Sequence, residues 1–226
     1  MSEPVQPALA QAAVSEFVAT AFLLIAVVGS GIAAERLSGG NAGLALLANA
    51  LATSGALYML ILSFGNVSGA HMNPIVTLAA VFLNGFPKSR APIYIVMQVA
   101  GAISGVCLAH VMFDLSLLQA SGHVRFGPGV WAGEIIATFG LLIAIARCSP
   151  CGTQTVGAVV ASYIGGAYWF TSSTSFANPA VTIARSFTDT FAGIRGADAP
   201  AFIAAQVIAL VLGVAFLKWM RGSVTA

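Results

Sequence analysis

The sequence predicts an all-α membrane protein: six transmembrane helices plus two re-entrant half-helices, with the second half repeating the first upside down. Three observations carry this. Of 226 residues, 58% are hydrophobic and 7% are charged. A soluble domain carries about a quarter charged residues, so this chain cannot clothe a water-facing surface and belongs in a lipid bilayer. Six apolar stretches are long enough to cross a hydrocarbon core, which takes about 20 residues. Finally, two phrases nearly repeat: His71-Met72-Asn73-Pro74-Ile75-Val76-Thr77-Leu78-Ala79 and Phe176-Ala177-Asn178-Pro179-Ala180-Val181-Thr182-Ile183-Ala184.

Taken in order, the spans fall at about 11–33, 42–64, 91–112, 130–147, 154–172 and 201–219. The breaks between them hold turn residues and charges: Glu35 to Gly40, Pro87 to Arg90, Asp114 to Pro128 and Arg147 to Gly152. The start of the chain, with Glu3, Pro4 and Pro7, lacks the basic opening of a cleaved signal peptide. Each Asn-Pro phrase reads as a helix start, because Asn caps free N–H groups and Pro fits the first turn. The helices expected from Asn73 to Pro87 and from Asn178 to Phe191 would rise about 20 Å each, against a core of about 30 Å. They must dip in and return. Non-helical backbone at that depth is tolerated only where it is buried or lines an aqueous cavity, so a pore or binding site is expected there.

The repeat runs beyond the tripeptides. Glu16-Phe17-Val18-Ala19-Thr20 matches Glu134-Ile135-Ile136-Ala137-Thr138, and Gln98 with Gly105 matches Gln206 with Gly213. One channel domain over 1–226 is expected, built of repeats at about 8–115 and 126–222. Three spans in each half invert the second against the first. The half-helices then enter from opposite faces and meet near the midplane at Asn73 and Asn178. The side holding both termini has five basic residues (Lys88, Arg90, Arg147, Lys218, Arg221) and the other has four (Arg36, Arg125, Arg185, Arg195). This small excess points to cytoplasmic termini.

Other classes find little support. A net charge of +2 suggests no nucleic-acid partner. There is no nucleophile–base pair and no H-E-x-x-H motif, so no enzyme is expected. His71 has no second ligand nearby in sequence, and neither metal nor cofactor is expected. Cys148 and Cys151 form a C-x-x-C pair in a polar break, read as a redox or soft-metal site or as two free thiols in a turn. An ion-coupled secondary transporter also uses inverted repeats and broken helices, but Glu16 and Glu134 are the only acids within the spans.

Ser68-Gly69-Ala70-His71-Met72-Asn73-Pro74 resembles the first signature of the aquaporin (major intrinsic protein) family, and Phe176-Ala177-Asn178-Pro179-Ala180 resembles the second. With six spans, two glutamates and inverted halves, the likeness covers nearly the whole chain. It implies an aquaporin-like right-handed bundle that passes water or small neutral solutes without coupling, as a homotetramer. It implies Asn73 and Asn178 at the pore midplane. It also implies a ladder of backbone carbonyls from Gly69, Ala70, His71 and Met72 and from Thr174, Ser175, Phe176 and Ala177, with Glu16 and Glu134 as structural acceptors rather than a proton relay. Two facing helix N-termini would set a positive barrier to cations and protons.

At the filter the sequence departs from the family, which usually has Arg directly after the second Asn-Pro-Ala. Here that place holds Val181. Counted from the asparagines without gaps, the four filter positions fall on Thr53, Gly166, Ser175 and Val181. Such a ring is wide and uncharged, and it resembles a bacterial subgroup of which some members pass arsenite as neutral As(OH)₃. Metalloid hydroxides, glycerol or urea are therefore the expected solutes. Arg185 follows Val181 by four residues, one helical turn on. It stands in as a displaced filter arginine, which would restore water selectivity, or it pairs with Asp189. Ile75 replaces the family's Ala in the first signature, and it or Phe176 would leave a non-conducting tetramer if it plugged the lumen.

Overall fold

The computed structural model describes residues 8–222, so Glu3, Pro4 and Pro7 lie outside the described residues. The chain folds as α1 (Leu9–Leu37), α2 (Ala42–Ser68), α3 (Pro74–Leu83), α4 (Ala91–Met112), α5 (Pro128–Cys148), α6 (Thr153–Phe170), α7 (Pro179–Arg185) and α8 (Ala199–Gly222). No strand occurs among the described residues. α1, α2, α4, α5 and α8 are long and apolar enough to cross a membrane. α6 is the sixth long helix, with 18 residues rising about 27 Å. It is less apolar because it opens on Thr153, Gln154 and Thr155 and closes on Tyr168 and Trp169.

The helices pair within each half: α1 lies on α4 and α2, α5 on α8 and α6, and α2 against α6 joins the halves. The crossing of α1 and α4 is close because Gly101 and Gly105 face it. A Cβ at either would collide with the backbone carbonyl of Phe17 or Ala21. Apolar side chains such as Leu51, Val96, Ile136 and Val211 point outward, as a lipid-facing surface requires.

Both half-helices are shorter than the sequence suggests. α3 stops at Leu83 because Asn84, Gly85 (φ 71°) and Pro87 turn the chain away. α7 has seven residues and stops at Arg185, although helix was expected as far as Phe191. There Ser186 and Phe187 close onto Ile183 and Ala184, three residues back. Thr188 Oγ1 instead bonds to His110 Nε2 at 2.7 Å, and Ile194 N–H takes the Arg185 carbonyl at 3.2 Å. Side-chain and loop partners thus replace the helical ladder. Cys148 precedes a single 3₁₀ turn, Ser149–Cys151, that ends on Cys151, and both thiols are free.

Candidate functional site

The two loops that lead into α3 and α7 converge at the centre. Asn73 and Asn178 are the N-caps. Asn73 Oδ1 accepts from Ile75 N–H at 2.9 Å, and Asn178 Oδ1 accepts from Ala180 and Val181 N–H at 3.0 and 3.3 Å. Their amides then cross. Asn73 Nδ2 donates to the Ala177 carbonyl, and Asn178 Nδ2 donates to the Met72 carbonyl, both at 2.7 Å. Each amide has two N–H donors, so one ties the loops together and one is left. Met72 and Ala177, expected in the carbonyl ladder, thus give their oxygens to the opposite asparagine.

Each loop hangs from a buried carboxylate. Glu16 accepts from Ser68 Oγ (2.6 Å), His71 N–H (2.9 Å), Met72 N–H (2.7 Å) and Gln98 Nε2 (2.7 Å). Glu134 accepts from Phe176 N–H (2.9 Å), Ala177 N–H (2.8 Å) and Gln206 Nε2 (2.6 Å). These bonds hold strained backbone. Ala70, Met72, Thr174, Ser175 and Ala177 all have positive φ, between 47° and 60°, a conformation that costs non-glycine residues about 1–3 kcal/mol each. A chain of alternating hand cannot bond its own carbonyls. Among the described residues no donor pairs with those of Gly69, Ala70, His71, Thr174, Ser175 or Phe176, so they remain as acceptors.

A cavity of about 320 Å³ passes through this centre. Leu83, Asn84, Ser149 and Thr153 line it on the side of the termini, Asn73 and Asn178 in the middle, and Thr53, Tyr168, Ser175, Phe176, Val181 and Arg185 beyond. Ile75 is buried and is not among its lining residues, whereas Phe176 is. Gly166 requires a correction. It faces an outer groove with Leu51, Ser54 and Gly55. Ile164 and Tyr168, four residues apart on α6, face the cavity, and the Tyr168 hydroxyl lies 3.3 Å from Thr53 Oγ1. Counting back from Asn178 crosses the irregular stretch 171–178, which breaks the register. The i, i+4 pairing of Ile164 with Tyr168 was the signal for the correct face.

Arg185 is 3% exposed and borders the cavity. Its Nε donates to the Ala192 carbonyl, and its guanidinium lies 3.4 Å from the centroid of the Phe176 ring. It makes no ion pair with Asp189, which accepts instead from Gly122 N–H at 2.8 Å. Sequence reasoning missed Arg125. This residue reaches in from the α4–α5 loop, donates through Nε to the Gly193 carbonyl at 2.8 Å, and lies 5.1 Å from the same Phe176 ring. Burial pushes its pKa down. Nothing in its local sequence signals this position. Chemically, the site can pass a hydrogen-bonding solute along acceptors on one wall, past the two amides, and between hydroxyls at the far end.

Known proteins resemble this chain in sequence and in fold. The family model "Major intrinsic protein" matches residues 3–175. The chain is 45% identical over 212 residues to aquaglyceroporin AqpS of Rhizobium meliloti (strain 1021), covering 94% of this chain and 91% of that protein. It is 31% identical over 153 residues to the probable aquaporin NIP7-1 of Arabidopsis thaliana, covering 67% of this chain and 54% of that one. Among solved structures, the aquaglyceroporin from Plasmodium falciparum aligns with a TM-score of 0.68 at 21% identity, over 94% and 95% of the two chains. This last likeness concerns the fold alone.

Proposed function

Because the chain belongs to the major intrinsic protein family, we propose that this integral membrane channel for water and small solutes has a wide filter that admits uncharged solutes bulkier than water: glycerol, urea and neutral metalloid hydroxides such as As(OH)₃. One observation carries the reading. The residue after the second Asn-Pro-Ala is Val181, which borders the cavity with Thr53 and Ser175, while Arg185 one turn on is drawn against Phe176 and Ala192. Val181 offers an apolar wall, and the hydroxyls of Thr53, Ser175 and Tyr168 offer donors and acceptors. A polyol or As(OH)₃ has the matching pattern of hydroxyl groups. The name of the Rhizobium relative, an aquaglyceroporin, agrees with glycerol as one solute.

The proposed filter is thus Thr53, Tyr168, Ser175 and Val181, with Tyr168 in place of Gly166. Asn73 and Asn178 form the midplane, and the facing ends of α3 and α7 supply the barrier to cations and protons. The domain is read as two inverted repeats, at about 8–115 and 126–222. The likeness to the family favours a homotetramer in a bacterial inner (plasma) membrane, and the slight excess of basic residues favours cytoplasmic termini. A second reading, water selectivity with Arg185 as the filter arginine, is favoured by the position of Arg185 on the cavity wall.

Stopped-flow light scattering on reconstituted vesicles separates the two. The wide filter gives flux of glycerol, urea and arsenite that is linear in gradient and independent of protons and sodium. Water flux alone overturns it in favour of the second reading, and saturable, ion-dependent flux would indicate a coupled transporter.

A further inference from the structure

We propose that the far mouth of the cavity, away from the termini, captures small carboxylate-class monoanions, with Arg185 on the cavity wall as anchor and Arg125, held on the same Phe176 ring, as the second positive charge. The mouth is rich in donors and has no acid to meet them. A guanidinium carries five N–H donors. Arg185 uses its Nε on Ala192, and among the described residues its terminal nitrogens meet no acceptor. Arg125 uses Nε on Gly193, and one terminal nitrogen reaches the Ser173 carbonyl and Thr174 Oγ1 only at 3.5 Å. Both guanidiniums lie against the one Phe176 ring, where their charges repel.

No carboxylate contacts either side chain. Arg195–Asp198 is the one ion pair among the described residues, and the other oxygen of Asp198 accepts from the Arg125 backbone N–H at 2.9 Å. Glu134 attracts both guanidiniums from a distance but contacts neither, because its oxygens accept from Phe176, Ala177 and Gln206; one carboxylate against two guanidiniums leaves one positive charge over. Buried charge without a partner is costly. An anion entering from solvent would offset that cost.

The neighbouring hydroxyls narrow the ligand class. Ser175 Oγ is buried on the same wall with no partner among the described residues. A carboxylate has two oxygens spaced for a guanidinium fork, and a hydroxyl beside the fork can donate to one of them. A polyol or amide can pass these hydroxyls but carries no charge to set against the two guanidiniums. A cavity of about 320 Å³ restricts the ligand to small acids. At the opposite mouth, with Asn84, Ser149 and Thr153 on its wall, Arg221 spends its terminal nitrogens on the Leu83 carbonyl and Asn84 Oδ1.

The test uses the full channel in phosphatidylcholine vesicles, so that no anionic headgroup competes for the mouth. Osmotic water flux is recorded at constant ionic strength with acetate, acetamide or chloride equal on both sides. Acetate is expected to inhibit saturably while acetamide and chloride do not. Arg125→Gln is expected to raise the half-inhibiting acetate concentration about tenfold, the loss of one charge-assisted contact. Because Arg185 also ties down Ala192, Arg185→Gln is judged only alongside Arg125→Gln. Equal effects of acetate and acetamide, inhibition by chloride as strong as by acetate, or an unchanged acetate dependence in Arg125→Gln would each overturn the proposal. None of these results depends on which neutral solutes pass.

Discussion

Glu16 and Glu134 stand in the two halves with matching company. Each takes two successive backbone N–H groups from the loop before an Asn-Pro cap, and each takes a glutamine amide from the helix that follows. Gln98 Nε2 also donates to Thr77 Oγ1 at 2.9 Å, and Gln206 Nε2 to Thr182 Oγ1 at 3.0 Å. Ser68 Oγ accepts from Ala70 N–H at 3.1 Å, and Ser173 Oγ from Ser175 N–H at 3.2 Å. Around these matched cores the surroundings diverge. His71 in the first loop packs between Phe86 and Tyr94 and bonds to Thr77 Oγ1 at 3.1 Å. Its counterpart Phe176 packs on Phe202 and carries two arginines. The comparison teaches a division of labour. The shared core shapes the backbone that lines the cavity, and the unshared shell sets what packs around each loop.

The strongest way to break the comparison is at the carboxylates. Glu16→Gln and Glu134→Gln each replace an acceptor oxygen with an NH₂ that faces N–H donors. Each is expected to cost about 3 kcal/mol or more and to abolish water flux, read as loss of folded protein on size-exclusion chromatography and of swelling in vesicles. A conducting Glu134→Gln beside a dead Glu16→Gln would show that the two cores are not equivalent.

A smaller effect is expected at the caps. Asn73→Ala and Asn178→Ala each lose a cap worth about 1 kcal/mol and one crossing bond worth about 1 kcal/mol. Thermal unfolding should place the two variants close together, and the double variant should cost less than the sum because both singles loosen the same junction. Strict additivity would contradict a shared junction. The smallest effect belongs to the shell. His71→Phe, which gives the first loop the residue of the second, loses one bond of about 1 kcal/mol and should leave solute selectivity unchanged in swelling assays. A changed solute range would mean that His71 also takes part in selection.

Much of this architecture was legible in the chain. The duplicated Asn-Pro phrases, the two glutamates and the two glutamines mark the matched cores because each is an unusual residue to find in an apolar span. Span edges fell within a few residues for the same reason: turn residues and charges bound the apolar runs. The shell was less legible. Gly166 was expected where Tyr168 stands, because register along α6 cannot be carried across an irregular loop. The end of α7 depends on His110 and Thr188 meeting across 78 residues. Arg125 reaches the Phe176 ring from a loop about 50 residues earlier in the chain, a long-range contact that no local pattern encodes.

The central claim is that Val181, rather than an arginine, sets the width of the filter. Its most direct test is the ratio of glycerol to water permeability in wild type and Val181→Arg, measured by stopped flow on matched vesicles. A guanidinium at this wall should cut glycerol flux at least about tenfold and leave water flux within about twofold, so the ratio should fall. A ratio unchanged by Val181→Arg, with protein levels equal, would contradict the account and hand control of the filter to Arg185.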